Sequence, residues 1–305
     1  MNGFYPEGWQ KNDSEPQFTR QFLEEALESE KVLESTVLMC DAYHNLIIDL
    51  KVMRGVIPRS EGALGIEEGL TRDIALISRV GKKVCFCVED IAEDQNGKPY
   101  ALLSRKRAQE KCRNHIQNEK NCGDIINAKI THLESFGAFC DIGCGVVALL
   151  PIDAISVSRI SHPMDRFFVG EEIRAIIKNI APDGKITLSH KELLGTWEEN
   201  AELFSAGQTV TGVIRSIENY GIFVEIAPNL AGLAEPKENV KVGSRASVYI
   251  KSIIREKMKI KLIIIDSFEN GYSPEIKYFN TNEHIDDWEY SPSVCDKRIF
   301  TRFCG

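Results

Sequence analysis

A chain of 305 residues, 43% hydrophobic and 27% charged, has room for two or three domains at about 100 to 200 residues each. No apolar run approaches the roughly 18 to 20 residues a membrane-crossing helix needs, and the opening MNGFYPEGWQKNDSEPQF lacks the basic-then-apolar order of a secretion signal, so a cytoplasmic location and no membrane partner are expected. The net charge of -8 excludes a chain that is basic throughout, and nine cysteines without paired two-residue spacings read as reduced thiols with neither a metal nor another cofactor.

In chain order, QFLEEALES, 21–29, predicts a helix within an N-terminal extension, 1–30. KVLESTVLMCDAYHNLIIDL predicts two strands, MRGVIPRSEG a third, and VGKKVCFCVEDI and KPYALLS two more, making a first unit of 31–106. Cys85 and Cys87, one residue apart on the fourth strand, could share a metal but read better as buried packing. A basic helical linker, 107–120, follows, with Arg107, Lys111, Arg113 and Lys120 against Glu110 and Glu119. The second unit, 121–191, runs GDIINAKITHLESFGAFCDI, VVALLP, VGEEIRAIIKNI and KITLS; a helical linker, 192–205, then offers Leu193, Leu194, Trp197 and Leu203 to a barrel. The third unit, 206–266, repeats the order in GQTVTGVIRSIENYGIFVEI, LAGLAEP, VGSRASVYIKSI and KIKLI. Residues 267–305 show no strand repeat and form a tail.

The three units share columns: Gly55, Ala148 and Gly232 in one, Gly81, Gly170 and Gly243 in another. Five short strands with turn glycines favour a small closed barrel, because closure removes edges that would otherwise pair with other chains. The second and third units each place two aromatics around a glycine, Phe136 and Phe139 in ESFGAFCDI, Tyr220 and Phe223 in ENYGIFVEI. The first unit lacks this signature and offers only Tyr43, His44 and aliphatics. Paired rings on a barrel surface stack bases with little regard for sequence, and lysines beside them neutralise phosphates. The basic run 237–261 supplies Lys251, Lys257 and Lys259, and Lys178 and Lys185 hold comparable places in the second unit.

The units at 121–191 and 206–266 resemble the S-one RNA-binding family, most specifically in GDIINAKITHLESFGAFCDI with GKITLSHK, and in RGVIPRSE of the first unit. The three-unit arrangement resembles the short ribosomal S-one-like proteins of Gram-positive bacteria. The resemblance covers about 31–265 and implies a mainly β chain of three tandem five-stranded OB barrels joined by short helical linkers, with an irregular C-terminal tail. It also implies single-stranded RNA, mRNA in particular, as partner, with the small ribosomal subunit a further one, and a role in translation. Residue by residue, its stacking pair falls on Phe136 and Phe139 and on Tyr220 and Phe223, its basic residue on Lys185 and Lys259, and its loop acid on Asp183. This chain departs from the pattern at Pro151 and Glu235, where the family often has histidine, and at Arg255, where the loop acid would stand.

Catalysis is not expected. His132 and His190, near Glu134 and Lys191, offer acid–base groups, but neither accompanies a nucleophile in a recognisable elbow, and glycine-rich phosphate loops are absent. The expected function is non-enzymatic RNA binding; a protein-docking scaffold is the alternative, with the first unit its best candidate.

Overall fold

Gly81, Gly170 and Gly243 adopt φ of 76°, 95° and 85°, a conformation that disfavours residues with a Cβ. In each case the glycine N–H donates to a carbonyl of the first strand of its own unit: Val37 at 2.8 Å, Ile130 at 2.8 Å and Ile214 at 2.7 Å. This shared turn sets the start of each fourth strand, and the computed structural model, which describes residues 4–9, 18–269 and 275–303, closes three barrels around it.

The first barrel is built from β1 (Leu33–Cys40), β2 (Leu46–Asp49), β3 (Arg54–Ile57), β4 (Lys83–Glu93) and β5 (Pro99–Ser104), closed in the order β1-β2-β3-β5-β4. The helices α1 (Arg20–Glu28) and α2 (Ile74–Ile77) accompany it, and α3 (Arg105–Glu119) leads out of it. The second barrel repeats the order with β6 (Ile125–Glu134), β7 (Gly137–Asp141), β8 (Val147–Pro151), β9 (Glu172–Ile180) and β10 (Ile186–Ser189). The third uses β11 (Thr209–Glu218), β12 (Gly221–Ala227), β13 (Leu230–Ala234), β14 (Arg245–Ile254) and β15 (Lys259–Phe268). In all three the third and fifth strands pair in parallel and close the wall. The expected mainly β architecture of three five-stranded barrels is what the chain forms. The interiors are apolar, as alternation requires: Val37, Leu46, Ile48 and Phe86 fill the first, Ile214, Val224, Val248 and Leu262 the third.

The chain forms two compact units. One holds the first barrel with residues 127–129 and 141–147 of the second. Within it the peptide 4–9 is anchored through Glu7, whose buried carboxylate accepts from Arg105 Nε at 2.7 Å and Nη2 at 2.9 Å. Asp141 accepts the Glu7 N–H at 2.8 Å, and burial beside that second carboxylate pushes its own carboxyl up to about 6. Cys85 and Cys87 are both buried here.

The other unit holds the rest of the second barrel, the third barrel and the C-terminal segment. The linker between these barrels is shorter as a helix than expected: a 3-10 turn Lys191–Leu194 precedes α4 (Trp197–Ala201). Leu193, Leu194 and Trp197 are buried, but the helix ends before Leu203, which is 47% exposed. The segment 275–303 is also more structured than an irregular tail. It pairs β16 (Asp287–Glu289) with β17 (Phe300–Arg302) and sends Ile285, Trp288, Tyr290 and Phe303 into the core cluster of the third barrel. Cys304 and parts of the expected extension and tail, 1–3, 10–17, 270–274 and 304–305, lie outside the described residues.

Candidate nucleic-acid interface

The turn from β6 to β7 explains why glycine stands between the two aromatics. A Cβ on Gly137 would lie 2.5 Å from the Leu150 carbonyl oxygen, and one on Gly221 would lie 2.6 Å from that of Ala234, so only glycine lets the neighbouring strand approach. With the backbone fixed, the rings take the same relation twice. Phe136 and Phe139 have centroids 6.0 Å apart at 87°, and Tyr220 and Phe223 6.2 Å apart at 88°. The outer ring of each pair is well exposed, Phe136 at 54% and Tyr220 at 68%, whereas its partner is half-buried. An edge-to-face pair of this kind leaves the outer ring's face to solvent and braces it from behind.

A third ring adjoins the pair in the second barrel. His132, on β6, stacks on Phe139 with centroids 6.3 Å apart and planes 24° from parallel, and its Nε2 lies 2.7 Å from Glu134. Its side chain is 62% exposed, so packing does not account for it. Sequence reasoning weighed His132 only as an acid–base group; its place beside Phe139 emerges from hairpin pairing, which no local spacing reports. His190 is different. It is wholly buried; its Nδ1 donates to the Ile155 carbonyl and its Nε2 accepts from the Tyr278 hydroxyl, both at 3.1 Å. Burial lowers its pKa to about 4, which makes it a neutral structural ring.

The lysines fall into two groups. Lys185 is bound to Asp183 at 2.6 Å, and that hydrogen bond holds the Asp183 carboxyl below its ordinary value. Lys251 sits 3.6 Å from Glu235. Lys178, Lys257, Lys259 and Lys261 are exposed and, among the described residues, pair with no carboxylate. Strand register decides which of them meets the rings. In the third barrel one transverse row runs Ser216, Phe223, Leu233, Lys261, Ser252 across neighbouring strands. Lys261, absent from the sequence-derived site, therefore shares the row of Phe223, while Lys259 lies two residues earlier, toward Ala231 and its partner Glu225. In the second barrel the residue paired with Leu149 on the closing strand is Thr187. The corresponding row of the first barrel, Met39, Ile47, Val56, Leu102, Asp90, contains neither an aromatic nor a cation.

The second and third barrels are tied together beside this surface. Arg166, in the loop before β9, donates through Nη2 to Glu225 on β12 and, at 3.2 Å, to the Ser156 hydroxyl. Arg215 Nε donates to the other Glu225 oxygen at 2.5 Å.

Residues 119–191 match the family described as S1 RNA binding domain. The chain is 29% identical over 272 residues to small ribosomal subunit protein bS1 of Staphylococcus haemolyticus, an overlap covering 83% of this chain and 66% of that one. Against bS1 of Staphylococcus epidermidis it is 28% identical over 295 residues, covering 91% and 72%. A solved multidomain protein with nucleic acid binding domains from Streptococcus pneumoniae overlaps 77% of this chain and 73% of its own at 12% identity, with a TM-score of 0.26, too low to bear on fold or function. No helix among the described residues is long and apolar enough to cross a membrane. The glycine turn, the ring pair and the family match coincide on one stretch of chain: residues 119–191 match the S1 RNA binding domain family, within a chain similar over most of its length to bacterial bS1 proteins.

Proposed function

We propose that this chain is a non-enzymatic protein of translation, associated with mRNA or with the small ribosomal subunit, that binds single-stranded RNA by stacking bases on Phe136 and Phe139 and on Tyr220 and Phe223. Lys178, Lys185, Lys251, Lys257 and Lys259 act as phosphate contacts, and Asp183 holds Lys185 in place. The reading takes 31–106, 121–191 and 206–266 as the three domains. The observation that carries it is the ring pair repeated on two barrels with the same edge-to-face geometry and the same exposed outer ring. A core does not require an exposed ring, whereas a base adds about 1 to 3 kcal/mol of stacking on one. The test compares an unstructured RNA with a duplex of equal length across a salt series. Preference for the single strand with affinity falling as salt rises is expected; equal binding to both forms would sink the reading.

A second reading applies to the first barrel alone. Its row offers exposed Met39 and half-buried Val56 and Leu102, with Leu38 and Tyr43 exposed nearby, which suits a protein surface better than RNA. Leu38→Asp with Met39→Asp should then abolish cosedimentation with ribosomes while leaving affinity for free RNA unchanged; loss of RNA affinity instead would remove the distinction.

A further inference from the structure

The register of the third barrel sets a lysine opposite its stacking pair. Strands lie about 4.8 Å apart, so Phe223 and Lys261, two strands apart with Leu233 between them, have backbones about 10 Å apart. Both residues point outward on that row, and Leu233 is half-buried between them, leaving a shallow apolar step from ring to cation. Three other lysines of the barrel are engaged, Lys241 with Glu269 at 2.5 Å, Lys237 with the Ile264 and Ile265 carbonyls at 3.1 and 2.7 Å, and Lys251 with Glu235, while Lys257 and Lys259 are exposed off the row of Phe223. Lys261 has no such partner among the described residues.

We propose that Lys261 is the phosphate contact of the third barrel's stacking platform, receiving the phosphate of a nucleotide whose base lies on Phe223. The proposal rests on the stacking reading above and deepens it. The sugar and phosphate of a stacked base stand to one side of the ring, and here that side carries a solvated ammonium group whose binding releases a counterion. The second barrel has Thr187 at the equivalent place, and its Lys185 is already bound to Asp183. The two platforms therefore differ at this place on the closing strand: the second sets Thr187 there and has His132 as an added ring, whereas the third sets a cation, unpaired among the described residues, in the row of its stacking ring.

The test uses the full chain and a labelled single-stranded oligouridine, titrated over a salt series. K261Q should weaken binding about fivefold near 0.1 M salt and reduce the slope of log affinity against log salt by about 0.7, the increment of one phosphate contact on a single strand. K259Q, one pair of residues off the row, should change the slope less, K261R should retain it, and T187K should steepen it. An unchanged slope in K261Q, or a larger loss in K259Q than in K261Q, overturns the proposal. Tyr220→Ala with Phe223→Ala separates the two levels: if that pair weakens binding while K261Q does not, the lysine assignment fails and stacking stands. If the aromatic pair leaves affinity untouched, the stacking reading of the third barrel itself fails.

Discussion

Arg166 and Glu225 form an ion pair in which neither side chain is exposed, one residue from a loop of the second barrel and the other from a strand of the third. Arg215, itself nearly buried, holds the second Glu225 oxygen and lies 3.3 Å from Asp165, so two carboxylates balance two guanidinium groups in a site largely away from water. Removing one partner of such a cluster leaves charge stranded in a low dielectric. Glu225→Ala is expected to cost about 3–5 kcal/mol, read from urea unfolding. A loss below 1 kcal/mol would mean that water reaches the arginines.

The C-terminal segment is expected to be structural as well. Trp288 is buried in the same cluster as Trp197, Val224 and Leu262. Trp288→Ala should destabilise by about 3–5 kcal/mol, the usual cost of deleting a large core ring. A fragment ending at residue 266 should accordingly melt lower than one continuing to 303; equal melting temperatures would show that the segment only decorates the barrel.

His190 gives a pH dependence of known sign. Its folded pKa of about 4 lies below the ordinary 6.5, so the unfolded chain takes up a proton first as pH falls. Its contribution is full above about 6.5 and is lost as pH drops toward 4, amounting to about 2 kcal/mol between pH 7 and pH 5. Asp141 acts in the opposite sense, since a carboxyl raised to about 6 adds stability as pH falls below that value. Comparison with His190→Gln isolates the histidine: the difference in stability between variant and wild type should shrink by about 2 kcal/mol from pH 7 to pH 5. A constant difference would contradict the neutral, buried ring.

His132→Ala should weaken RNA binding severalfold, within the about 1 to 3 kcal/mol of a stacked base, and leave the melting temperature nearly unchanged because the ring is exposed. His132→Phe should keep the affinity. A drop in melting temperature with unaltered binding would make the ring a support for Phe139 and nothing more.

These residues also show what a sequence discloses. Gly81, Gly170 and Gly243 were legible as a shared column because a positive φ excludes most other residues. The ring pairs were legible because each sits beside a turn that tolerates only glycine. Lys261 was not, because Lys259 and Lys261 share the outer face of one strand, and only a parallel pairing with a strand distant in sequence sets which of them meets the row of Phe223. Trp288 and Tyr290 were visible as aromatics, but a segment without periodicity does not announce what it packs against. The Arg166–Glu225 pair joins residues far apart in sequence with no motif between them.

Phe136→Ala combined with Phe139→Ala tests the stacking account most directly, with an RNA titration and a thermal melt run on the same protein. Loss of a few kcal/mol of RNA affinity at most, the sum of about two stacked bases, is expected, with a fold nearly as stable as the wild type. A large fall in melting temperature, equivalent to the about 3–5 kcal/mol of a deleted core phenylalanine, with no separate binding defect would contradict it and make the repeated rings part of the barrel's frame.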